Sequence, residues 1–199
     1  MLGETGQLLQ NKSDELSELD SRFGDGDHGV TIKKIAVVIE EHTRQWQNAF
    51  AKPFLTELSN AVMGVSGGAA APLWGTFLGG LALPLEDGTT EIGPSLLKLM
   101  FSSALKEMQD ITNARIGDKT LMDALIPAVE SAESAPDALE DILQAAAEAA
   151  EKGAAGTADF IARFGRAKNY RERTLGTPDP GAVSLSLFFK GLAAGFKTN

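Results

Sequence analysis

Apolar residues recur along this chain at helical spacing almost without interruption. Ile32, Ile35, Ala36 and Ile39 fall at i, i+3, i+4 and i+7, and Leu121, Ala124, Leu125 and Ala128 repeat the pattern. Leu97, Met100, Phe101, Ala104, Leu105 and Met108 form a broader stripe, and Leu139, Ile142, Leu143 and Ala146 another. Phe160, Ile161 and Phe164 predict a further helix, while Leu185, Phe188, Phe189, Leu192 and Phe196 predict the last. No stretch shows the strict alternation of a half-buried strand, and β-branched residues concentrate only between Ile35 and Ile39.

Small and polar residues separate these stripes. Gly and Asp dominate 23–29, small residues fill 66–72, and Gly or Pro mark 84–94, 114–119 and 173–181. Seven or eight helices joined by such short loops imply antiparallel neighbours. No composition shift, long linker or internal repeat divides the chain. The pattern therefore predicts an all-α protein, with residues 1–199 forming a single-domain barrel or bundle of about eight antiparallel helices. Only the stretch before Asp20 is short for a complete first helix.

One run without charge, from Leu58 to Leu85, is long enough to cross a bilayer. It contains Ser59, Asn60, Ser66, Gly67, Gly68, Pro72 and Pro84, and its flanks are the acids Glu57 and Glu86. Two buried helices broken by a Gly/Ala turn fit it better, so no membrane association is expected. The N-terminal Met1-Leu2-Gly3-Glu4-Thr5-Gly6 lacks the basic and apolar regions of a signal peptide.

Charge narrows the partners. Eighteen basic against 27 acidic residues leave a net charge of −9, which argues against nucleic acid, whose phosphates need clustered Lys and Arg. A single nucleotide stays open, because a divalent cation can neutralise its phosphates. The absence of Cys removes disulfides, thiolate metal sites and cysteine nucleophiles, and agrees with a cytoplasmic location.

The acids become specific in Leu19-Asp20-Ser21-Arg22-Phe23-Gly24-Asp25-Gly26-Asp27-His28-Gly29-Val30-Thr31. Three aspartates alternate with glycines just ahead of an amphipathic helix. Glycines let several carboxylates converge on one point, and converged carboxylates repel unless a hard cation such as Mg²⁺ or Ca²⁺ sits among them. The helix starting near His28 adds a positive dipole end and free N–H groups suited to an anion. An Asp/Gly turn with an N-cap would explain one of these aspartates, hardly three. An EF-hand beginning at Asp25 fails, since Gly29 and Val30 would take its fifth and sixth positions and Ala36 the place of its bidentate Glu. Zinc is poorly served by His28 and His42 alone. Gly117-Asp118-Lys119-Thr120 and Gly195-Phe196-Lys197-Thr198 are near misses to a P-loop.

Two other regions bear on phosphate binding. Gly64-Val65-Ser66-Gly67-Gly68-Ala69-Ala70-Ala71-Pro72-Leu73-Trp74-Gly75-Thr76 places bare backbone before a helix, which suits a phosphate or close helix packing. Gly165-Arg166-Ala167 and Glu172-Arg173 precede Gly176-Thr177-Pro178-Asp179-Pro180-Gly181, where an Arg could clamp a phosphate or lie solvated. Asp118 reads most simply as the N-cap of the helix that follows it.

Together these segments resemble the nucleotide-binding subunit, or C-terminal domain, of dihydroxyacetone kinases. The matching pieces run in order: Leu19-Asp20 with Gly24-Asp25-Gly26-Asp27-His28-Gly29; Gly67-Gly68-Ala69 with Pro72-Leu73 and Gly75-Thr76; Gly117-Asp118-Lys119-Thr120 with Asp123 and Pro127; and Gly165-Arg166-Ala167, Glu172-Arg173, Gly176 and Asp179-Pro180-Gly181-Ala182. The resemblance implies an eight-helix barrel with ADP or ATP among the loops at one end. It implies that Asp20, Asp25 and Asp27 hold two Mg²⁺ ions, and that His28, Gly29, Thr31, Ala69 and Ala70 contact phosphate. Gly117, Ile126 and Arg166 would surround the nucleoside, with Asp179, Pro180 and Gly181 closing as a lid.

The resemblance further implies phosphoryl transfer to dihydroxyacetone held covalently by a His of a separate ketose-binding subunit, so the chain looks like half of an enzyme. No general base is assigned to it. A phosphohistidine carrier protein that recharges a resident ADP, and a homodimer of this chain, complete the partner expectations. Ala70 and Ala71 stand where the family commonly has Ser and Gly, predicting weaker nucleotide affinity. Thr31 replaces a frequent Asn, and Ala167-Lys168-Asn169-Tyr170-Arg171 replaces a small, Gly-containing stretch. Fatty-acid kinases share a related domain but typically read Asp-Gly-Asp-Thr-Gly where this chain has Asp25-Gly26-Asp27-His28-Gly29. A kinase of another small ketose or sugar-like substrate, and a nucleotide-sensing subunit without turnover, are the alternatives.

Overall fold

The apolar stripes fold as helices that close into a ring. A computed structural model describes residues 1–197; Thr198 and Asn199, which end the expected domain and the Gly195–Thr198 near miss, lie outside the described residues. The helices are α1 (Leu2–Asn11), α2 (Ser13–Ser21), α3 (His28–Gln45), α4 (Ala51–Met63) and α5 (Ala70–Ala82). They continue as α6 (Pro94–Ile111), α7 (Met122–Ser134), α8 (Leu139–Gly156) and α9 (Pro180–Lys197). Two 3-10 segments, Thr157–Asp159 and Ala167–Thr174, lie between α8 and α9. Among the described residues there is no strand.

Each helix packs against the next in chain order, and α9 returns to pack on α1, which closes the barrel. The segment before Asp20 is fuller than its length suggested. It forms two helices broken at Lys12, whose non-helical ψ of 2° interrupts the ladder. Together α1 and α2 supply one wall beside α3, so the expected count of about eight antiparallel walls holds.

The predicted helix around Phe160–Phe164 does not form. Phe160 is extended (φ −105°, ψ 151°), and the backbone groups there bond across the loops. Ala162 N–H donates to Thr174 Oγ1 and Arg163 N–H to the Asp118 carbonyl. With those donors spent elsewhere, no i→i−4 ladder can propagate.

Inside the ring Phe77, Phe101, Phe188 and Phe189 are almost fully buried. They meet edge to face, with centroids 5.2 Å (Phe77–Phe188), 5.4 Å (Phe101–Phe189) and 5.8 Å (Phe188–Phe189) apart, the geometry the ring quadrupole favours. The charge-free run becomes α4, a turn and α5, and among the described residues no helix is long and apolar enough to cross a membrane.

The up-and-down path has a consequence for chemistry. The N-termini of α3, α5, α7 and α9 all come to one end of the barrel, with the loops at 22–27, 64–69, 112–121 and 157–179.

Candidate functional site

At that end the loops surround an open cavity of about 530 Å³. Its wall includes Asp20, Asp25, Asp27, His28, Thr31, Ala69, Ala70, Arg166, Asp179, Pro180 and Gly181, all singled out by the sequence. One oxygen from each of Asp20, Asp25 and Asp27 lies within 4.8 Å of the others. A donor set of three carboxylates, with no thiolate or imidazole among them, fits a hard cation such as Mg²⁺.

The backbone enforces this convergence. Gly24 N–H donates to the Asp20 carbonyl at 2.6 Å. A Cβ on Gly24 would fall 2.2 Å from Asp20 Oδ1, so a side chain there would push that carboxylate out of the cluster. The aspartates then differ in charge behaviour. Partial burial, followed by the charges of Asp25 and Asp20, raises the Asp27 carboxyl above its ordinary value. At Asp25 desolvation is outweighed only by several contributions together, the hydrogen bond and charge of Arg166 foremost with backbone and Asp27 hydrogen bonds, and that carboxyl lies below its ordinary value. Arg166 thus pairs with a carboxylate of the acidic loop.

The four helix ends are not equivalent. At α7, Thr120 Oγ1 accepts the Met122 N–H at 3.2 Å. At α9, Asp179 Oδ1 accepts the Ala182 N–H at 2.7 Å. By contrast α5 has no side-chain acceptor on its first turn, and at α3 only the His28 N–H is met, by Asp20 Oδ2 at 3.4 Å. Their remaining first-turn N–H groups stay available to an anion, right beside the acidic cluster.

His28 opens α3 and ties it to α9. The Ser184 hydroxyl donates to the Gly181 carbonyl at 2.9 Å and so stands as acceptor for His28 Nε2 at 3.1 Å. Burial lowers the His28 pKa, favouring the neutral ring even beside Asp20. Gly67 packs on Thr31, where a Cβ would lie 2.5 Å from its side chain; at Gly68 a Cβ would lie 3.7 Å from the Asp27 carboxylate. The glycine turn therefore serves packing at one position and keeps the cavity wall bare at the next.

Three expected residues are not on the cavity wall. Gly29 is buried against α2, where a Cβ would sit 1.9 Å from the Ser13 carbonyl oxygen. Gly117 donates its N–H to Asp123 Oδ1 at 2.6 Å, which shapes the loop. Ile126 lies a turn further along α7 and packs on the core. Asp118 is not the cap of α7 either. Its Oδ2 accepts the Arg115 N–H at 2.9 Å, closing the turn behind it, while Asp123 accepts the Thr120 N–H at 2.7 Å.

Lys119 has a role that the sequence reading did not identify. It is 4% exposed and adopts φ 61°. Its Nζ donates to the carbonyls of Thr157 (2.6 Å), Phe160 (3.1 Å) and Thr177 (2.6 Å). All three protons are spent on backbone, so Lys119 staples the loops that frame the cavity. No local spacing could signal this, because the acceptors are 38 to 58 residues away.

Burial pushes the Asp179 carboxyl up to about 7 from 3.8. The folded state therefore binds a proton on Asp179 that the unfolded chain releases between these values. The carboxylate's cost is present in full above about pH 7 and fades as pH falls toward 4. Asp179→Asn keeps an oxygen for the Ala182 N–H and should stabilise the protein at pH 8. Discounted for the part of the group facing the open cavity, the gain is on the order of 1 kcal/mol, shrinking toward pH 4.5. Paired thermal melts across that range check it; a gain that grows on acidification would contradict the assignment.

Residues 22–194 match the DAK2 domain. The ADP-binding subunit DhaL of PEP-dependent dihydroxyacetone kinase 2 from Listeria innocua is 32% identical over 191 residues, covering 92% of this chain and 87% of that protein. The ADP-binding subunit DhaL of the Escherichia coli PEP-dependent dihydroxyacetone kinase is 30% identical over 199 residues, covering 98% and 94%. The L-erythrulose kinase of Pectobacterium atrosepticum is 32% identical over 189 residues, covering 90% of this chain but 31% of that protein. The crystal structure of the dihydroxyacetone kinase from C. freundii in complex with AMP-PNP and Mg²⁺ superposes with a TM-score of 0.73 at 28% identity, covering 98% of this chain and 33% of that one. This chain thus spans about a third of the longer kinases and nearly the whole of the two DhaL subunits. With the match extending from the acidic loop into the last helix, the chain belongs to the DAK2 domain family.

Proposed function

We propose that this chain is the ADP/ATP- and Mg²⁺-binding subunit of a dihydroxyacetone kinase, a single nucleotide-binding domain that works with a separate ketose-binding subunit. The observation that carries the reading is the juxtaposition of three carboxylates with the N-termini of α3 and α5 on one cavity wall. A cation site beside an anion site fits a metal–phosphate complex, and a relative of known structure was solved with AMP-PNP and Mg²⁺.

In this reading Asp20, Asp25 and Asp27 would hold two Mg²⁺ ions, with phosphate and water supplying further oxygen ligands. When bound, the Mg²⁺–nucleotide complex supplies the phosphoryl group with charge on its oxygens offset. The chain's own groups position it. Backbone N–H groups in the first turn of α3, beside His28 and Thr31, and around Ala69 and Ala70 donate to the phosphates at the two helix ends. Arg166 offers a guanidinium fork at the cavity wall. Phe164, Leu121 and Pro178, also on the wall, give the nucleoside an apolar side, and Asp179, Pro180 and Gly181 close over it. Gly29, Gly117 and Ile126 act on this site through packing and loop shape.

The nucleophile is a ketose hydroxyl presented by the partner, so no general base is needed here. Two relatives are named as PEP-dependent kinases, which supports a phosphohistidine carrier recharging bound ADP. Relatives named L- and D-erythrulose kinases favour a second reading in which the ketose is a tetrulose, since substrate choice would lie in the partner. A cytoplasmic setting accords with the lack of Cys, and a homodimer stays part of the proposal.

Reconstitution tests the whole. The chain should form ketose phosphate when mixed with a purified ketose-binding subunit, Mg²⁺ and ATP, or with phosphoenolpyruvate and a phosphohistidine carrier chain. Neither component alone should do so. Nucleotide binding without product from either donor would instead identify a sensing subunit.

A further inference from the structure

We propose that Arg166 is a displaceable stand-in for the cation at Asp25. Guanidinium and metal ion compete for one carboxylate, so metal binding frees the strap that bears Arg166. The proposal rests on the metal reading given above for Asp20, Asp25 and Asp27. Arg166 Nη1 is ion-paired with Asp25 Oδ2, and Asp25 belongs to the only group of three converging acids among the described residues. An oxygen that ligates a metal has little left to offer a guanidinium, and the two cations repel.

The strap is built to move. It runs through the 3-10 segment Ala167–Thr174 between two glycines in the left-handed region, Gly165 (φ 61°) and Gly176 (φ 81°). Two contacts hold it to the acidic loop: Arg166 on Asp25, and the Tyr170 ring on Phe23 at 5.4 Å. Its other bonds tie it back to the α8–α9 connection, through Thr174 to Ala162 and through Gly176 to the Ala158 carbonyl at 2.8 Å. The Arg166 and Asp25 side chains are 64% and 43% exposed, and exposed ion pairs are weak, so a divalent ion can displace the arginine. Once freed, Arg166 stands on the cavity wall with a phosphate as its next acceptor. Metal and nucleotide then assist each other through one side chain.

Opposite signs make this testable. Mn²⁺ alone, then Mg²⁺–ADP, would be titrated by calorimetry into the wild type, Arg166→Gln and Lys168→Gln. Arg166→Gln should bind Mn²⁺ alone about three- to fivefold more tightly, the range an exposed pair allows, yet bind Mg²⁺–ADP more weakly. Lys168→Gln, which removes a cation of the same strap that does not touch Asp25, should leave Mn²⁺ affinity unchanged. Amide exchange at 166–175 should rise with Mn²⁺ alone and fall with Mg²⁺–ADP. Equal or weaker Mn²⁺ binding by Arg166→Gln, or an equal gain in Lys168→Gln, overturns the competition while leaving the metal site standing. Absence of Mn²⁺ binding in every protein overturns the metal reading itself.

Discussion

Alanine at Asp25 is expected to abolish Mg²⁺-dependent ADP binding while leaving the fold intact. Changing even an outer partner of a metal ligand typically costs 10–100-fold in affinity, so loss of a ligand should exceed about 100-fold. Asp25 also supports no core contact. Its side chain is 43% exposed, on a loop whose shape comes from Gly24 and the Asp20 carbonyl. The melting temperature should therefore stay within about 2 °C of wild type, as for surface changes generally. Calorimetry with ADP, with and without Mg²⁺, separates the outcomes. Unchanged binding with Mg²⁺ present would remove Asp25 from the metal site. The contrast with Arg166→Gln is informative because the two changes break the same ion pair from opposite sides. One should lose the metal; the other should gain it.

What the sequence reveals about this site follows from range. The acidic loop is legible because its chemistry is local: three carboxylates and their turn glycines lie within eight positions, and their convergence within 4.8 Å needs only the end of α2 and the loop that follows it. The barrel is legible for a similar reason, since helical periodicity and short connections leave antiparallel neighbours as the simple solution. The stripe at Phe160–Phe164 misleads because its spacing is right but its backbone partners are Asp118 and Thr174, invisible to a window along the chain. Asp118 misleads in a related way. A position before a helix fits a cap, yet its carboxylate turns back to Arg115. Gly29 looks like a phosphate contact from its place at a helix start, and only the packing of α3 on Ser13 shows what its missing side chain is for.

Lys119 is the sharpest case and supports the second large effect, a loss of about 3 kcal/mol in Lys119→Met. The aliphatic stem fits the same slot, but the carbonyls of Thr157, Phe160 and Thr177 lose their common donor. An unmet buried polar group costs about 1–3 kcal/mol. Water reaching the cavity-side carbonyls would recover part of that sum. For a chain of this length the loss lowers the melting temperature by about 6–12 °C, and thermal unfolding reads it directly. A shift under 2 °C would mean that the three bonds do not hold the loops together. The charge matters separately from the bonds. Burial lowers the Lys119 pKa, while the neighbouring Asp179, Asp123 and Asp159 raise it, and Lys119 in turn opposes the upward shift at Asp179. Removing the ammonium should drive the Asp179 carboxyl higher still and make it costlier to ionise. Combining Lys119→Met with Asp179→Asn should therefore cost less than the sum of the separate changes at pH 8. At pH 5, where the folded-state Asp179 carboxyl is already protonated in both backgrounds, that coupling should shrink. Strict additivity at both pH values would show that the lysine acts through its hydrogen bonds alone.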